Sequence, residues 1–461
     1  MKMQNLDFWW WWSNVIAVVL GTYIFVFGFL RKINGWYHVM NMFGNKQIKA
    51  LPPGDMGWPL IGNMWAFVKA FKSQVPESFL SSLKNRYGET GIYKTSLLWK
   101  PCIIVCTPEL CRKVLKDGEH FKLGYPYPSL ILGGQSSDFF LSMGHKRFRS
   151  LTTSQINGHE ALSKHIGCID EIVITTLEEL STRNQPVQFL HEMNKVAFKV
   201  IMTIFLGSAC DGSIIAEMEE YYSHLFCGLF SSPINIPGFA FHRTLNARKM
   251  LIKIIQSVLS ERREKESKVP NARKGIIDFI KEFEDEEGEK LDDEHIIIEE
   301  QEEIIKRRPS TQKDLTLSEI KQMKYLSKVI DETLRSRTNT STLLREAKKD
   351  TNLNGYFIPK GWKVLVWHSA VHMDPEIYHN PKQFLPSRWD DLKLKAGGFL
   401  PFGAGSNTCP GADLAKLEIS ILLHHFLLNY KFEQLNPRGP VNYLPSPEPA
   451  DDCRAKIIKL N

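Results

Sequence analysis

A cysteine at the start of an apolar helix has the most evident chemistry in this chain. Cys409 lies near the end of the loop Phe402–Gly411, FGAGSNTCPG, and the segment ADLAKLEISILLHHFLLNY follows. Apolar residues such as Leu414, Leu417 and Ile421 recur there at helical spacing, which predicts a buried helix. Because the N-terminus of a helix carries unpaired N–H groups and the positive end of its dipole, it favours thiolate over thiol at such a cysteine.

The same loop suits a flat partner that carries a metal. Gly405 and Gly411 would let the backbone approach closely, and Phe402 offers a ring for packing. A thiolate held in this way suits a haem iron, to which sulfur donates electron density as an axial ligand. The alternative is a buried cysteine in an ordinary junction between loop and helix, and this stretch alone leaves both readings open.

Length and composition bound the remaining possibilities. The chain has 461 residues, enough for one large domain or two ordinary ones, and its 43% hydrophobic and 24% charged residues exclude wholesale disorder. The net charge of +7 is mild, and no basic stripe interleaved with aromatic residues stands out, so nucleic acid is not an expected partner. The eight cysteines form no CxxC pair, which favours reduced thiols in a domain facing the cytosol.

The N-terminal region predicts a membrane anchor. Residues 8–30 form an uncharged apolar stretch of 23 residues, with Trp9–Trp12 at one end and Arg31 and Lys32 beyond the other. The excess of basic residues after this stretch keeps the body of the protein in the cytosol. A cleaved secretory peptide is the alternative, but no small-residue cleavage site follows. We expect an anchor and linker over residues 1–50 and a single body over residues 51–461.

The body is predicted to be mainly α with small β-sheets. Leu51–Asn63 is a proline- and glycine-rich joint, and Leu229–Phe241 is an apolar loop suited to membrane contact or a substrate entrance. Further predicted elements are short strands within Tyr87–Thr107, helices near 159–206 and 244–265, a capping box from Thr316 to Glu319, and a hairpin over Gly355–Val366.

Three further residues form a recognisable pattern. Glu332 and Arg335 are three positions apart in DETLR and so share a helix face, and Arg388 in FLPSRW is a candidate third member of a buried network. An ExxR pair alone is uninformative, since most such pairs are exposed. Followed by PSRW and then FGAGSNTCPG, it is far more specific.

In that order the motifs resemble the cytochrome P450 haem-thiolate monooxygenases. The resemblance implies that fold, here lacking much of one distal helix, with haem b as cofactor and electrons passed from NADPH by a separate reductase. It implies Cys409 as proximal iron ligand, and Glu332, Arg335 and Arg388 as a structural triad. The implied haem-propionate contacts are His145 and Arg149 in GHKRFR, and Arg345 in LLREAKKD.

Finer matches point to one plant branch of that family. PPGDMGWPLIGN, FKLGYP, NGHEAL, SPINIPGF and KLEISILLHHFLL resemble the ent-kaurenoic acid oxidases and the β-amyrin 11-oxidases. These enzymes oxidise diterpene and triterpene skeletons at the endoplasmic reticulum membrane. The resemblance favours β-amyrin oxidation first and ent-kaurenoic acid oxidation second, with Phe121–Leu141 and Leu343–Leu344 lining the substrate pocket.

Two departures from the family pattern bear on activity. The resemblance leads us to expect, before Glu332, a helix whose small residue, acid and Thr or Ser help deliver protons to oxygen. Instead Glu289–Ile298 runs directly into Glu299–Arg308, so an internal segment is missing. Asp314 and Thr316 could be nominated as substitutes, but their capping-box setting argues against this. Asn407 stands where the family has an arginine on a haem propionate, which weakens haem retention by about 1.5–3 kcal/mol.

These departures leave two alternatives to an active monooxygenase. The first is a haem binder without catalytic activity, produced by defective splicing or by an error in the gene model at the Ile298–Glu299 junction. The second is a membrane-bound scaffold without haem.

Overall fold

The computed structural model describes residues 2–43, 50–97, 100–125, 153–183, 185–207, 212–228, 231, 234–266, 315–443 and 446–460. Within these residues the chain is mainly helical with small sheets, as predicted. It forms two compact units. The first consists of Met1–Gly124, Ser341–Ile377 and Lys395–Phe399, and the second of Tyr125–Thr340, Tyr378–Leu394 and Leu400–Asn461.

The first unit is built on a five-stranded sheet in the order β1-β2-β8-β5-β3. Its strands are β1 (Ile92–Leu97), β2 (Lys100–Val105), β3 (Phe121–Leu123), β5 (Leu343–Ala347) and β8 (Lys363–Val366). Strands β2 and β8 are parallel and the other pairs are antiparallel. Its helices are α1 (Lys2–Phe43), α2 (Met64–Lys72), α3 (Glu77–Tyr87), α4 (Pro108–Lys116) and α11 (His368–His372). The predicted strands within Tyr87–Thr107 are confirmed as β1 and β2.

The predicted hairpin over Gly355–Val366 is wrong in its bounds. The hairpin pairs β6 (Thr351–Leu353) with β7 (Tyr356–Ile358), and β8 belongs to the larger sheet instead. Asn354 and Gly355 have φ angles of 53° and 86°, which two-residue hairpin turns require. Asn354 and Gly355 therefore form the turn that joins β6 to β7. The predicted hairpin began at this turn and left out β6, its first strand.

The second unit is mainly helical. It contains α5 (His159–Thr182), α6 (Phe189–Leu206), α7 (Gly212–Gly228), α8 (Ala240–Glu266), α9 (Leu317–Ile320), α10 (Lys324–Ser336), α12 (Arg388–Asp391) and α13 (Ala412–Asn429). Its strands are β4 (Val187–Gln188), β9 (Tyr430–Gln434), β10 (Val441–Asn442), β11 (Glu448–Pro449) and β12 (Arg454–Lys459). Strand β12 pairs with both β4 and β9.

The core of the second unit is formed chiefly by apolar faces of α5, α6, α10 and α13. Ile169, Leu177, Leu326 and Ile421 belong to one cluster of buried side chains, and each is fully removed from solvent. The amphipathic periodicity near 159–206 and after Cys409 correctly predicted these faces. This core fixes α10, which carries Glu332 and Arg335, and α13, which begins three residues after Cys409.

The N-terminal residues form the long helix α1, which covers Lys2–Phe43. In the part of the chain that the structure describes, however, no helix meets the combined length and apolarity required to cross a bilayer. The predicted transmembrane helix over residues 8–30 is therefore not confirmed.

Candidate functional site

The loop before α13 turns back on itself and presents Cys409. Gly403 and Gly405 adopt φ angles of 78° and 74°, a region that favours glycine, and a single 3₁₀ turn begins at Gly405. The Thr408 hydroxyl donates to the Gly405 carbonyl at 2.8 Å. The Cys409 N–H donates to the Phe402 carbonyl at 2.9 Å, which closes the loop. The cysteine is thus placed by backbone hydrogen bonds rather than by core packing.

Helix α13 begins directly after the cysteine. Gly411 is its N-cap residue, with a φ of −91°, and its carbonyl accepts the Ala415 N–H at 2.9 Å. Leu414 and Leu417 are buried in the core of the unit and hold the first turns of the helix in place. Gly411 has an ordinary φ, and a Cβ at this position would have no atom within 4 Å. Neither backbone strain nor protein packing therefore requires a glycine here, but close approach of a bound flat group would.

Exposure separates Cys409 from the buried cysteines of the structure. Cys102, Cys106 and Cys111 lie in the core of the first unit, where burial raises the pKa of Cys102 to about 12 and that of Cys106 to about 11. Burial also raises the pKa of Cys111 well above its ordinary value. Cys409, in contrast, is exposed. A haem iron requires a sulfur that an external group can reach, so the loop geometry, the open space at Gly411 and the exposed thiol fit such a group.

Glu332, on α10, is the centre of a buried ionic network. Arg335 Nε and Nη2 donate to its two carboxylate oxygens, each at 2.8 Å, and Arg388 Nε donates to Oε1 at 3.0 Å. The side chains of Glu332, Arg335 and Arg388 are 0%, 0% and 5% exposed. The structure therefore brings together the three residues that the sequence predicted as a triad.

Two donors in this network were not predicted. The Leu385 N–H reaches Glu332 Oε1 at 2.9 Å, and the Trp389 indole N–H reaches Oε2 at 3.2 Å. Burial alone would raise the pKa of Glu332, but hydrogen bonds from Arg335 and from the Leu385 N–H hold it below its ordinary value. Trp389 directly follows Arg388 in PSRW. Its position next to a predicted network arginine was the sequence signal that could have identified it as a further donor to Glu332.

The two arginines also tie α10 to the segment that precedes α12. Arg335 Nη2 donates to the Pro381 carbonyl at 2.8 Å, and Arg388 donates to the carbonyls of His379 and Gln383 at 2.7 and 2.9 Å. A carboxylate whose oxygens accept five donors has little capacity for proton transfer. The network fixes the backbone rather than performing chemistry.

Of the basic residues predicted to contact haem propionates, only Arg345 falls within the described residues. It lies on β5 of the first unit, is 3% exposed, and donates from Nη1 to the Leu344 carbonyl at 3.3 Å. His145 and Arg149 fall outside the described residues. The grouping of these three residues around a haem therefore stays a prediction.

The predicted pocket segments are partly described. Residues 121–124 run beside β5 in the first unit: β3 pairs with Arg345–Ala347, and the Gly124 N–H donates to the Leu344 carbonyl at 3.1 Å. Residues 126–141 of the predicted pocket fall outside the described residues, as do the junction at Ile298–Glu299 and Asp314.

The capping box at Thr316 is confirmed. The Glu319 N–H donates to Thr316 Oγ1 at 3.3 Å, and the Thr316 N–H donates to a Glu319 carboxylate oxygen at 2.7 Å. The Thr316 hydroxyl also contacts that carboxylate, at 2.6 Å. These bonds account for Thr316 as a helix cap, which argues against a role for it in proton delivery.

Comparison with characterised proteins places these motifs in a family. The family model for cytochrome P450 matches residues 52–299 and 297–448, in two segments that meet at the predicted junction. The chain is 50% identical over 482 residues to 7,8-epoxymelianol synthase CYP88A51 of Citrus sinensis, with 97% of this chain and 98% of that protein covered. Because 482 exceeds the 461 residues of the chain, that relative contains residues for which this chain has no counterpart.

Two further relatives belong to the predicted plant branch. The chain is 48% identical to beta-amyrin 11-oxidase of Glycyrrhiza uralensis, with 96% of this chain and 98% of that protein covered. It is 45% identical to ent-kaurenoic acid oxidase 2 of Arabidopsis thaliana, with 96% and 97% covered. The fold matches a solved structure of retinoic acid-bound cyanobacterial CYP120A1, with a TM-score of 0.71 and 22% identity over 90% of this chain and 100% of that one. The chain belongs to the cytochrome P450 family.

Proposed function

We propose that this protein is a haem-thiolate monooxygenase that oxidises a terpenoid. The observation that carries the proposal is an exposed Cys409 in a glycine loop directly before a buried helix, within a chain of this family. When bound, haem would supply activation of O₂ for insertion of one oxygen atom into a C–H bond of the substrate.

The residues of the chain hold and orient this group. Cys409 Sγ would bind the iron, and Phe402, Gly405 and Gly411 would shape the surface that receives haem b. The proposed propionate contacts are Arg345, His145 and Arg149. Glu332, with Arg335 and Arg388, fixes the backbone of the same unit and stays out of the chemistry, because its five donors hold it as a carboxylate.

The proposed partners are small molecules and one protein. Electrons come from NADPH through a separate NADPH-cytochrome reductase, O₂ is the second substrate, and no nucleic acid is involved. The organic substrate is a terpenoid, because two of the similar proteins act on β-amyrin and ent-kaurenoic acid by name. We rank β-amyrin ahead of ent-kaurenoic acid, in line with 48% against 45% identity. The similarity to epoxymelianol synthases makes epoxide formation a further product to assay.

We further propose that the protein works at the endoplasmic reticulum membrane. Residues 1–50 would serve as a single-pass anchor and linker, and residues 51–461 as the haem-binding domain facing the cytosol. The uncharged stretch 8–30 and the exposed apolar side chains of α1 support this, among them Val18, Ile24 and Phe25 at 67%, 69% and 70% exposure.

A second candidate function is a haem protein without turnover. The family model matches in two segments that meet at residues 297–299, and alignments to relatives are longer than the chain. Both observations favour a missing internal segment before α9. A chain of this kind would retain Cys409 and the Glu332 network but lack the residues that deliver protons.

The carbon monoxide spectrum of the reduced, membrane-bound protein tests the haem-thiolate site. We expect a thiolate-type Soret band that is lost in Cys409→Ser. The band should remain in the control variant Cys453→Ser, because Cys453 is a half-buried cysteine of the same unit with no proposed role at the haem. Folded protein without the band, or a Cys409→Ser variant with an unchanged spectrum, would contradict the proposal. Product formation from β-amyrin or ent-kaurenoic acid with the reductase then separates the two candidate functions.

A further inference from the structure

A polar groove of about 570 Å³ lies where α5 ends and α6 begins. Arg183, Gln185 and Gln188 line it from the segment that joins the two helices, and Arg454 lines it from the start of β12. All of these residues belong to the second unit. None of them belongs to the proposed haem site, the predicted substrate pocket or the Glu332 network. We call this groove the Arg454 groove.

The sheet beside the groove explains why Gln188 and Arg454 share a face. In the antiparallel pair of β4 and β12, Gln188 lies opposite Arg454. The neighbouring pair, Val187 and Ala455, is buried at 7% and 0% exposure. Because side chains alternate between the two faces of a sheet, Gln188 and Arg454 face outward together, and both are exposed. The sheet thus places an amide and a guanidinium side by side at the groove.

Backbone hydrogen bonds hold the walls of the groove in place. The first two N–H groups of α6 donate to the carbonyls of Cys453 and Asp452, at 3.3 and 3.0 Å. From the other side, the Leu435 N–H donates to the Arg454 carbonyl at 2.9 Å. Gln188 directly precedes α6 and Arg454 directly follows Cys453, so the backbone of both residues is positioned before any ligand binds.

The charged side chains leave the groove with a positive balance. Glu192 lines the groove and is 9% exposed, and its Oε1 accepts from Arg183 Nη1 at 2.9 Å. Lys195 Nζ lies 3.6 Å from the same oxygen, so two cations balance this carboxylate. Arg183 is 47% exposed and keeps further N–H donors for a ligand. Arg454 adds a second guanidinium, for which the part of the chain that the structure describes provides no ion pair.

We propose that the Arg454 groove binds a soluble small molecule that carries a diphosphate group. Guanidinium groups bind phosphate oxygens through paired N–H donors, and the amides of Gln185 and Gln188 supply neutral donors beside them. Two arginines on separate segments favour a ligand with two anionic groups. The volume of about 570 Å³ lies within the range of small-molecule sites. The inference goes beyond the proposed reaction and does not depend on it.

Isothermal titration calorimetry of the full chain in phosphatidylcholine nanodiscs tests the site with inorganic pyrophosphate. Arg454→Gln removes one guanidinium of the groove. Lys456→Gln is the matched control, because Lys456 lies two residues further along β12, opposite Glu433 and outside the groove. Both variants remove one positive charge from an exposed side chain. We expect saturable binding that weakens by about tenfold or more in Arg454→Gln and by less than about twofold in Lys456→Gln.

A second variant and a second anion sharpen the test. Arg454→Lys keeps the positive charge but loses the paired donors, so it should also weaken pyrophosphate binding, and it replaces Arg454→Gln if that variant does not fold. Inorganic phosphate offers one anionic group instead of two and should bind about tenfold more weakly than pyrophosphate.

The remaining outcomes would overturn the inference. Absence of saturable binding to the original chain, or equal weakening in Arg454→Gln and Lys456→Gln, would show that only net charge attracts the anion. Equal affinities for phosphate and pyrophosphate would reject the diphosphate class. Binding that occurs only to nanodiscs containing a phosphatidylinositol phosphate would assign the arginines to a lipid headgroup instead of a soluble ligand.

Discussion

At the scale of single residues, Asn407 stands where the resemblance to cytochromes P450 leads us to expect an arginine on a haem propionate. It ends the 3₁₀ turn Gly405–Asn407, two residues before Cys409. We predict that Asn407→Arg strengthens haem retention by about 1.5–3 kcal/mol, because a guanidinium adds charge-assisted hydrogen bonds to a propionate. The rate of haem transfer from the protein to apomyoglobin measures this change. Asn407→Gln, which lengthens the side chain without charge, is the control and should release haem at the original rate; equal slowing by both variants would refute the prediction.

The Glu332 network allows a test with a matched neighbour. Glu332→Gln leaves two guanidinium groups in a buried site without their carboxylate, so we expect a loss of about 3–5 kcal/mol in the free energy of unfolding. Asp331→Asn removes the neighbouring carboxylate of α10, which pairs with Lys416 at 2.7 Å. Because Asp331 is 22% exposed and Lys416 is 36% exposed, this substitution should lower the free energy of unfolding by about 1 kcal/mol or less. Urea unfolding at neutral pH, followed by tryptophan fluorescence, measures both. Similar losses in the two variants would contradict a special role for burial.

The depressed pKa of Glu332 sets the direction of its pH dependence. A carboxyl whose pKa is lower in the folded state than in the unfolded state stabilises the protein above its unfolded pKa, and this stabilisation is lost as pH falls through the folded value. The difference in unfolding free energy between the original chain and Glu332→Gln should therefore narrow as pH falls below about 4.5. A difference that stays constant at acidic pH would show that the charge of Glu332 is not the source of stability.

At the scale of elements, helix α13 carries Glu418, whose pKa is raised by folding, whereas that of Glu332 is lowered. Burial raises the pKa of Glu418 to about 7, above the value of an exposed glutamate. The folded state therefore binds this proton more tightly than the unfolded state does. The contribution of the protonated Glu418 to the free energy of unfolding is fully present below about pH 4.5 and is lost as pH rises through 7. The total loss is up to about 3 kcal/mol. We predict that Glu418→Gln raises the unfolding free energy at pH 8 and changes it little at pH 5.

Unfolding of the Glu418→Gln variant across this pH range needs a control on another helix. Glu171→Gln alters an exposed carboxyl of α5 and should leave the pH dependence of the original chain in place. Parallel pH profiles for Glu418→Gln and the original chain would refute the assignment. Loss of the pH dependence in Glu171→Gln as well would show that the effect is not specific to Glu418.

The elements also show which features a sequence can predict. The apolar spacing in α5, α6 and α13 located these helices, because a helix must turn one apolar face to the core. Glu332, Arg335 and Arg388 were found from their motifs, but the donors Leu385 and Trp389 were not. A backbone N–H has no sequence signature, and an indole finds its partner only when two distant segments meet. The hairpin around Gly355 failed for a related reason: pairing partners depend on the whole sheet.

At the scale of the whole molecule, stability and activity have separate requirements. The buried core of the second unit is built from residues on both sides of the 267–314 segment, which the structure does not describe, and the Glu332 network is built from residues after that segment. The family model likewise matches on both sides of residues 297–299. The described residues that position Cys409 lie outside the 267–314 segment, so we expect the Cys409 loop to form without the segment proposed to be missing at Ile298–Glu299, whereas proton delivery would require it.

This separation predicts the effect of restoring the missing segment. Inserting between Ile298 and Glu299 the residues that beta-amyrin 11-oxidase carries there should leave the carbon monoxide spectrum unchanged and create or greatly raise terpenoid oxidation in the presence of a reductase. The reason is that the added helix supplies proton donors and excludes water, both of which act on the reaction and not on the iron–sulfur bond. Cys409→Ser in the restored chain is the control and should abolish the gain. Equal product yields from the original and restored chains would show that the segment is dispensable, and the short chain would then have to deliver protons through residues on its own side of the junction.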